Sequence, residues 1–419
     1  MKLNNLSILF GRHTILFAVF VFLMSLLNGC QNENKHQPTG VKFHLETLKQ
    51  LGGRGDNWCI TWAADNSQIT SLCDGNWLND PEGGWRNHLF RIKGEADNFQ
   101  REDIPNYPNL SDTISYFGYG IVSVDGNIYS AASKTPGLSW SGPFLGVKLL
   151  KSPDNGETWF RVDRNANELQ LSVNDSMRNI VTEAEMFSIE EYGLPHNQQL
   201  AYPFSYFDFV QCGKDNSAAK DDYLYMYAPE GAFSYKLTLA RVNKDKLGNR
   251  DEWEYFIKYD ANNQPLWSKD IEQRAYVTEY PAKSSKGHYY GWYSWLPSVV
   301  WNEGLGLYIM VNGGTYGGHG MSNSDADYYS GWMHEETGSL GFWYSEKPYG
   351  PWKQFYYTEY WISDDDNLNY QPKLSPKWIS EDGKKMTLIW SDAKEDENGD
   401  SHSINYLWNQ MEISILLEE

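Results

Sequence analysis

Ser152-Pro153-Asp154-Asn155-Gly156-Glu157-Thr158-Trp159 lies inside a strand pair that runs from Gly146 to Arg161, with Asp, Asn and Gly grouped at the turn. The same grammar recurs along the chain: short aromatic and β-branched runs closed by Asp, Asn or Gly, with little helical periodicity, which predicts an all-β domain. Hairpins are expected from Trp58 to Cys73 around Asp65-Asn66, from Gly120 to Ser133 around Asp125-Gly126, and from Phe204 to Tyr227 around a longer insert. Two more run from Pro297 to Val311 around Asn302-Glu303 and from Leu374 to Ser391 around Glu381-Asp382-Gly383. A second strand pair follows each, such as Gly146 to Arg161 or Leu340 to Phe355, so the repeat holds four strands and about 75 residues. Four-stranded units repeated radially are the blades of a β-propeller. The expected fold over 44–419 is therefore a five-bladed β-propeller with long loops; a β-sandwich with insertions is the alternative.

Composition sets what this domain can meet. The 419 residues carry 35 Lys+Arg against 55 Asp+Glu, net −20, with 41% hydrophobic residues. That apolar content fills a large core and excludes disorder for most of the chain. The acidic balance repels phosphate backbones and anionic headgroups, so nucleic acid is not an expected partner. Aromatic residues are in surplus at 18 Trp, 29 Tyr and 18 Phe. Such rings either pack a bulky core or lie flat against the C–H faces of a sugar.

The N-terminus reads as an address. Lys2 and Arg12 flank a polar start, and Thr14 to Leu27 form an apolar run of about 14 residues, short for a bilayer span. Residues 1–29 are expected to be a signal peptide. Leu27-Asn28-Gly29-Cys30 looks like a bacterial lipobox, with Cys30 the acylated residue and 30–43 a polar tether. Loss of Lys2 and Arg12 takes the net charge from −20 to −22. The expected location is the cell envelope, anchored to the outer membrane on its periplasmic or surface face. Cys59, Cys73 and Cys212 remain; Cys59 and Cys73 lie equally far from the turn near Asn66, and two buried reduced thiols are favoured over a bridge. No CxxC or zinc spacing occurs, and His334-Glu335-Glu336 lacks a His at 338, so no metal or cofactor is expected.

Candidate chemistry follows from hairpin geometry. Ligands of such folds bind where the blade ends form a funnel. In the first unit Asp56 precedes the inner strand and Asp74 ends its partner, on the side opposite the Asp65 turn. A turn centred near 66 sets Asp56 opposite about position 76, which brings the two carboxylates within about 5–10 Å. That range spans the separations of retaining and inverting glycosidases, about 5–5.5 and 6.5–9.5 Å. The same register puts Lys134, Glu230, Asn312 and Asp392 at the ends of the other second strands. Tyr116, Tyr293 and Gln371 precede first strands, with Trp58 and Trp295 close by. Acids, amides and aromatics in one ring suit a hydroxylated ligand. Asp56 and Asp74 are the candidate catalytic pair and Glu230 the reserve acid; a solvated strand-end carboxylate is the other reading for each. Arg54, Asn57, Trp58, Tyr116, Lys134, Tyr293, Trp295, Asn312, His319 and Asp392 are the candidate substrate contacts. His319 belongs to the loop from Gly313 to Gly320, which lacks nucleotide-loop spacing. Glu183 and Glu185 read as the solvated face of a short helix. The segment from Asp396 to Asp400 lacks the closing Glu of an EF-hand and reads as a hairpin tip.

Several of these segments resemble known families. The octet from Ser152 to Trp159 is similar to the Asp box of sialidase-like propellers, which implies that Asp and Ser close the turn, that Trp packs beneath, and that Asp154 has no catalytic role. Trp343 to Trp352 resembles the outer hairpin of five-bladed glycosidases. Gly55-Asp56-Asn57-Trp58, Thr61-Trp62-Ala63-Ala64-Asp65 and Cys73-Asp74-Gly75 look like the opening signature of the domain of unknown function 4185 family. So do Lys151 to Trp159, Leu239-Ala240-Arg241-Val242 and Tyr344 to Trp352, so the resemblance covers about 45–415. It implies a five-bladed glycoside hydrolase similar to the endo-D-arabinanases of Bacteroidota that cut mycobacterial arabinan, with Asp56 and Asp74 as its acidic pair. Cys59 departs from the family, which often has Pro there. Two other classes stay open: a surface lipoprotein that captures glycans without cleaving them, and a polysaccharide lyase, which needs a Tyr or His base and a neutraliser for uronic acids and is left open by Lys134, Arg54 and His319.

Overall fold

The computed structural model describes residues 37–78, 84–108, 116–134, 144–173, 185–188, 203–230, 233–281, 283–287, 296–316, 336–361, 369–392 and 406–418. Tyr293, Trp295, His319, Cys30, Glu183 and the segment 396–400 lie outside them. The chain divides into a large unit spanning Pro38–Leu416 and a smaller one made of its two ends.

In the large unit the described residues are all-β, arranged as antiparallel sheets with short 3-10 turns and no α-helix. Five successive meanders account for most of the described strands. Meander I holds Ile60–Trp62, Gln68–Asn76, His88–Glu95 and Asn98–Asp103; meander II holds Tyr116–Val124, Asn127–Lys134, Gly146–Ser152 and Trp159–Val162. Meander III holds Asp208–Phe209, Tyr223–Glu230, Phe233–Asn243 and Glu254–Tyr259, and meander IV holds Ser298–Asn302, Leu307–Tyr316, Glu336–Ser345 and Lys353–Thr358. Meander V holds Tyr370–Ile379, Lys385–Ser391 and Leu407–Leu417, and its outer edge is completed by a strand from near the chain's beginning. There Lys49 pairs with Gln410 and Leu51 with Trp408, so an early strand of the domain clasps its last. The hairpins form where the turn residues put them: Trp62 faces Gln68, Val124 faces Asn127, Asn302 faces Leu307, and Leu374 faces Leu388.

The first strands of the meanders touch one another in the order I, II, III, IV, V and back to I. Strands enclosed this way are buried on both faces. Every residue of Tyr116–Val124 and of Ser298–Asn302 is buried, which explains their apolar and aromatic sequence. Much of the aromatic surplus is consumed here: Trp58, Trp77, Trp159, Trp253, Trp390 and Trp408 are all fully buried.

The octet at Ser152 is a closed turn. Asp154 Oδ1 accepts from the Ser152 hydroxyl and the Thr158 N–H, its Oδ2 accepts from the Thr158 hydroxyl, and Ser152 Oγ accepts from the Gly156 N–H. Gly156 has φ 98°, a value that favours glycine, and a Cβ there would lie 3.0 Å from Ile104. Trp159 is completely buried, edge-on to Tyr107 at 4.9 Å between ring centroids. Asp154 is thus fully engaged in holding a turn.

The cysteines are reduced and buried. Cys59 lies opposite Ser71, whose N–H donates to its carbonyl at 2.9 Å, so Cys73 sits two residues further along the partner strand. Glu185 departs from expectation: it precedes Phe187–Ser188, which pairs with Val147 and Gly146, and it is almost wholly buried.

Candidate functional site

Asp56 and Asp74 lie on neighbouring strands at one end of meander I, in a register different from the expected one. Asp56 pairs with Cys73, not with a residue near 76, because the ladder shifts between Arg54, which faces Asn76, and Asp56. Two glycines make this possible. A Cβ on Gly75 would lie 1.9 Å from the Arg54 carbonyl, and one on Gly55, at φ 150°, would lie 2.6 Å from Leu72. Flanking them, Asn57 at φ 56° and Asp74 itself at φ 52° are left-handed. Such backbone costs about 1 kcal/mol or more per residue and persists where the surroundings over-determine it, commonly at functional sites.

The two carboxylates differ in setting. Asp56 is buried and accepts from Asn57 Nδ2 at 3.1 Å. Asp74 keeps 30% of its side chain accessible and is 2.7 Å from Arg86. Burial raises its carboxyl above the ordinary range, opposed by the Arg86 and Arg54 guanidinium groups. Both acids border Cys73, whose thiol is pushed far up by burial and then by their charges, and which donates to the Gly118 carbonyl.

A second group occupies the strands that line the middle. Asp208, in the first strand of meander III, accepts from the Phe209 N–H at 2.9 Å and lies 3.8 Å from Lys373 in the first strand of meander V. Lys373 is completely buried and donates to the Leu296 carbonyl at 2.8 Å. Burial pushes the Asp208 carboxyl up to about 6, against the pull of Lys373 and a hydrogen bond with the Cys59 thiol. The Cys that departs from the resembled family therefore contacts a central acid. Sequence reading missed this pair; the available signal was a charge among apolar and aromatic neighbours, Asp208 between Phe207 and Phe209 and Lys373 before Leu374.

Stability should therefore depend on pH. The folded carboxyl titrates near 6 against an ordinary 3.8, so its contribution to stability is full below about pH 4 and is lost as pH rises towards 6. The difference corresponds to about 3 kcal/mol. Asp208→Asn, which does not titrate, should gain up to that amount relative to wild type between pH ~4 and ~7, measured by urea unfolding at each pH. Parallel profiles for the two proteins would refute the assignment.

A third group closes the same end of meander II. Glu185 lies 3.2 Å from Lys134 and 3.5 Å from Lys148, and the Lys148 ammonium sits 5.6 Å from the centre of the Tyr116 ring.

Of the remaining candidates, Arg54 lies close enough to Asp74 to act on its charge. Glu230 is gripped by Arg274, whose Nε and Nη2 donate to its two oxygens at 3.0 and 2.8 Å. Asn312 and Asp392 are wholly buried, and Asn312 Oδ1 accepts from the Gly313 N–H. Arg54 lies over the Tyr406 ring. Trp58 corrects the sequence reading. Its ring is completely buried against Trp77 and Trp408 at 5.1 and 5.2 Å, and its indole N–H donates to Ser391, so no face is open to a ligand. Tyr116 is likewise buried, between Lys148 and its own sheet. Among the described residues no group of His, Cys, Asp or Glu is arranged to hold a metal ion.

No family model matches the sequence, and no curated protein does. Solved structures resemble the chain. One is a Bacteroides ovatus protein assigned provisionally as a hydrolase, 13% identical over 87% of each chain with a TM-score of 0.48. Another is an α-L-arabinofuranosidase from Podospora anserina, 10% identical over 91% of this chain and 97% of its own, TM-score 0.42. A third is the catalytic domain of an α-L-arabinofuranosidase from Coprinopsis cinerea, 10% identical over 90% and 98%, TM-score 0.43.

Proposed function

We propose that the chain is a five-bladed β-propeller glycoside hydrolase of the domain of unknown function 4185 type, held in the outer membrane through acylated Cys30 and cutting a polysaccharide such as an arabinan. The observation that carries the reading is the shifted register that pairs Asp56 with Cys73, the residue before Asp74, held by Gly55, Gly75 and two left-handed residues. Two carboxyls in unlike settings suit the division of labour in glycoside cleavage. Asp74, the more accessible and with a carboxyl raised by burial, would protonate the leaving oxygen. Asp56, oriented by Asn57, would act on the anomeric carbon, directly or through water. Arg86 would keep Asp74 aimed as its charge changes.

The test is incubation with a panel of arabinans, galactans and uronate polysaccharides. New reducing ends without ultraviolet absorbance from an unsaturated sugar are the expected result. Unsaturated products would replace the reading with a lyase, and retention on a glycan without products would replace it with a binding lipoprotein.

A further inference from the structure

Lys134, Lys148 and Glu185 form a charge group that the catalytic reading does not use, and the group is unbalanced. Glu185 is buried and serves two ammonium groups, at 3.2 and 3.5 Å. Lys148 has no exposed surface, and its Nζ makes no hydrogen bond among the described residues. Arg161 adds a further positive charge close enough to act on Lys148. Among the described residues, two ammonium groups on one carboxylate leave an excess of positive charge, in a chain that carries −20 overall. Burying uncompensated charge costs several kcal/mol, so such an imbalance is a feature to explain by function.

Its position supplies the explanation. Lys134 ends the second strand of meander II as Asp74 lies near the end of that of meander I. Arg86 spans the two: it pairs with Asp74, and its guanidinium lies 5.6 Å from the Phe117 ring, next to Tyr116, which pairs with Lys134. Lys134 keeps 16% of its side chain exposed, while Lys148 and Glu185 stand behind it.

Resting on the reading of this face as the sugar-binding face, we propose that Lys134, backed by Lys148 and positioned by Glu185, is a subsite for a singly charged anionic substituent on the substrate glycan, a carboxylate or a sulfate ester. The ligand anion supplies the missing counter-charge. Burial, foremost, and the repulsion of Lys134 hold the Lys148 ammonium down at about 8, a response that an incoming anion would reverse.

Binding, measured by calorimetry apart from any cleavage, tests the subsite. The ligands are an oligouronate, the same oligosaccharide after carboxyl reduction, and a neutral oligosaccharide with and without sulfate esters. The folded wild-type protein should bind at least one anionic form about 10-fold or more tightly than its neutral counterpart, with the gap closing at high salt. Lys134→Gln should erase the preference and Lys134→Arg should keep it. Preference for the uronate or for the sulfate ester identifies which anion is read. Equal binding of charged and neutral forms by wild type overturns the subsite, whatever the variants do. An anion preference without hydrolysis of any substrate would overturn the catalytic reading and leave the subsite standing; hydrolysis of neutral arabinan with no preference would do the reverse.

Discussion

Asp74→Asn and Asp56→Asn each lower the release of reducing ends by about 10²–10⁴-fold, the loss that follows removal of a positioned proton donor or acceptor. Asn keeps the shape of either side chain and removes its titration, so the effect belongs to chemistry and not to packing. Neither change should unfold the domain. Asp74→Asn leaves Arg86 without its anion, but Arg86 keeps 37% of its side chain in solvent and can rehydrate, which limits the cost to about 1 kcal/mol. Asp56→Asn keeps a neighbour for Asn57 at its present 3.1 Å. The measurement is kcat/KM on the best substrate of the panel together with the urea midpoint. Retention of wild-type activity by either variant refutes the pair. Glu230→Gln is the informative contrast. Glu230 is held at both oxygens by Arg274, so its loss should appear in the unfolding midpoint while activity per folded molecule stays within a few-fold. A collapse of kcat in that variant would move the acid to Glu230.

What the sequence disclosed and what it hid divide along the range of the interactions involved. Turns are local: Asp154, Gly156 and Thr158 contact residues within four positions, so the turn residues located that hairpin, and the resemblance to the Asp box implied the structural role of Asp154. The other inner hairpins were legible for the same reason. The register of Asp56 was not, because it depends on Gly75 meeting the Arg54 backbone across the sheet, and a shift in the ladder leaves no periodic trace. The central Asp208–Lys373 pair and the Glu185–Lys148 pair join residues far apart in the chain, so only the folded structure brings them into contact. Charge among apolar neighbours was visible at Asp208, Lys373 and Lys148, but its partner was not. The aromatic surplus was ambiguous in a different way: when both faces of a strand are buried, alternation disappears, and nothing in the pattern tells a packing ring from a binding one.

Trp58 is where that ambiguity is tested. Trp58→Ala should destabilise the domain by about 3–5 kcal/mol, as truncation of a fully buried Trp does. The cavity would open beside Trp77 and Trp408, which come from the end of meander I and from the closing strand of meander V, so the loss falls on the clasp between the two ends of the domain. Trp58→Phe keeps most of the apolar volume but loses the 2.7 Å bond from the indole N–H to Ser391, and should cost about 1–2 kcal/mol. Ser391 also donates to the Gly55 carbonyl at 3.0 Å, one residue before Asp56, so the same bond network holds the strand that carries Asp56. A buried role therefore predicts a fall in the urea midpoint in both variants, with KM near wild type in the molecules that remain folded. A sugar-stacking role predicts the opposite: an unchanged midpoint and a raised KM. Because the indole has no exposed surface, the first outcome is the one its position dictates.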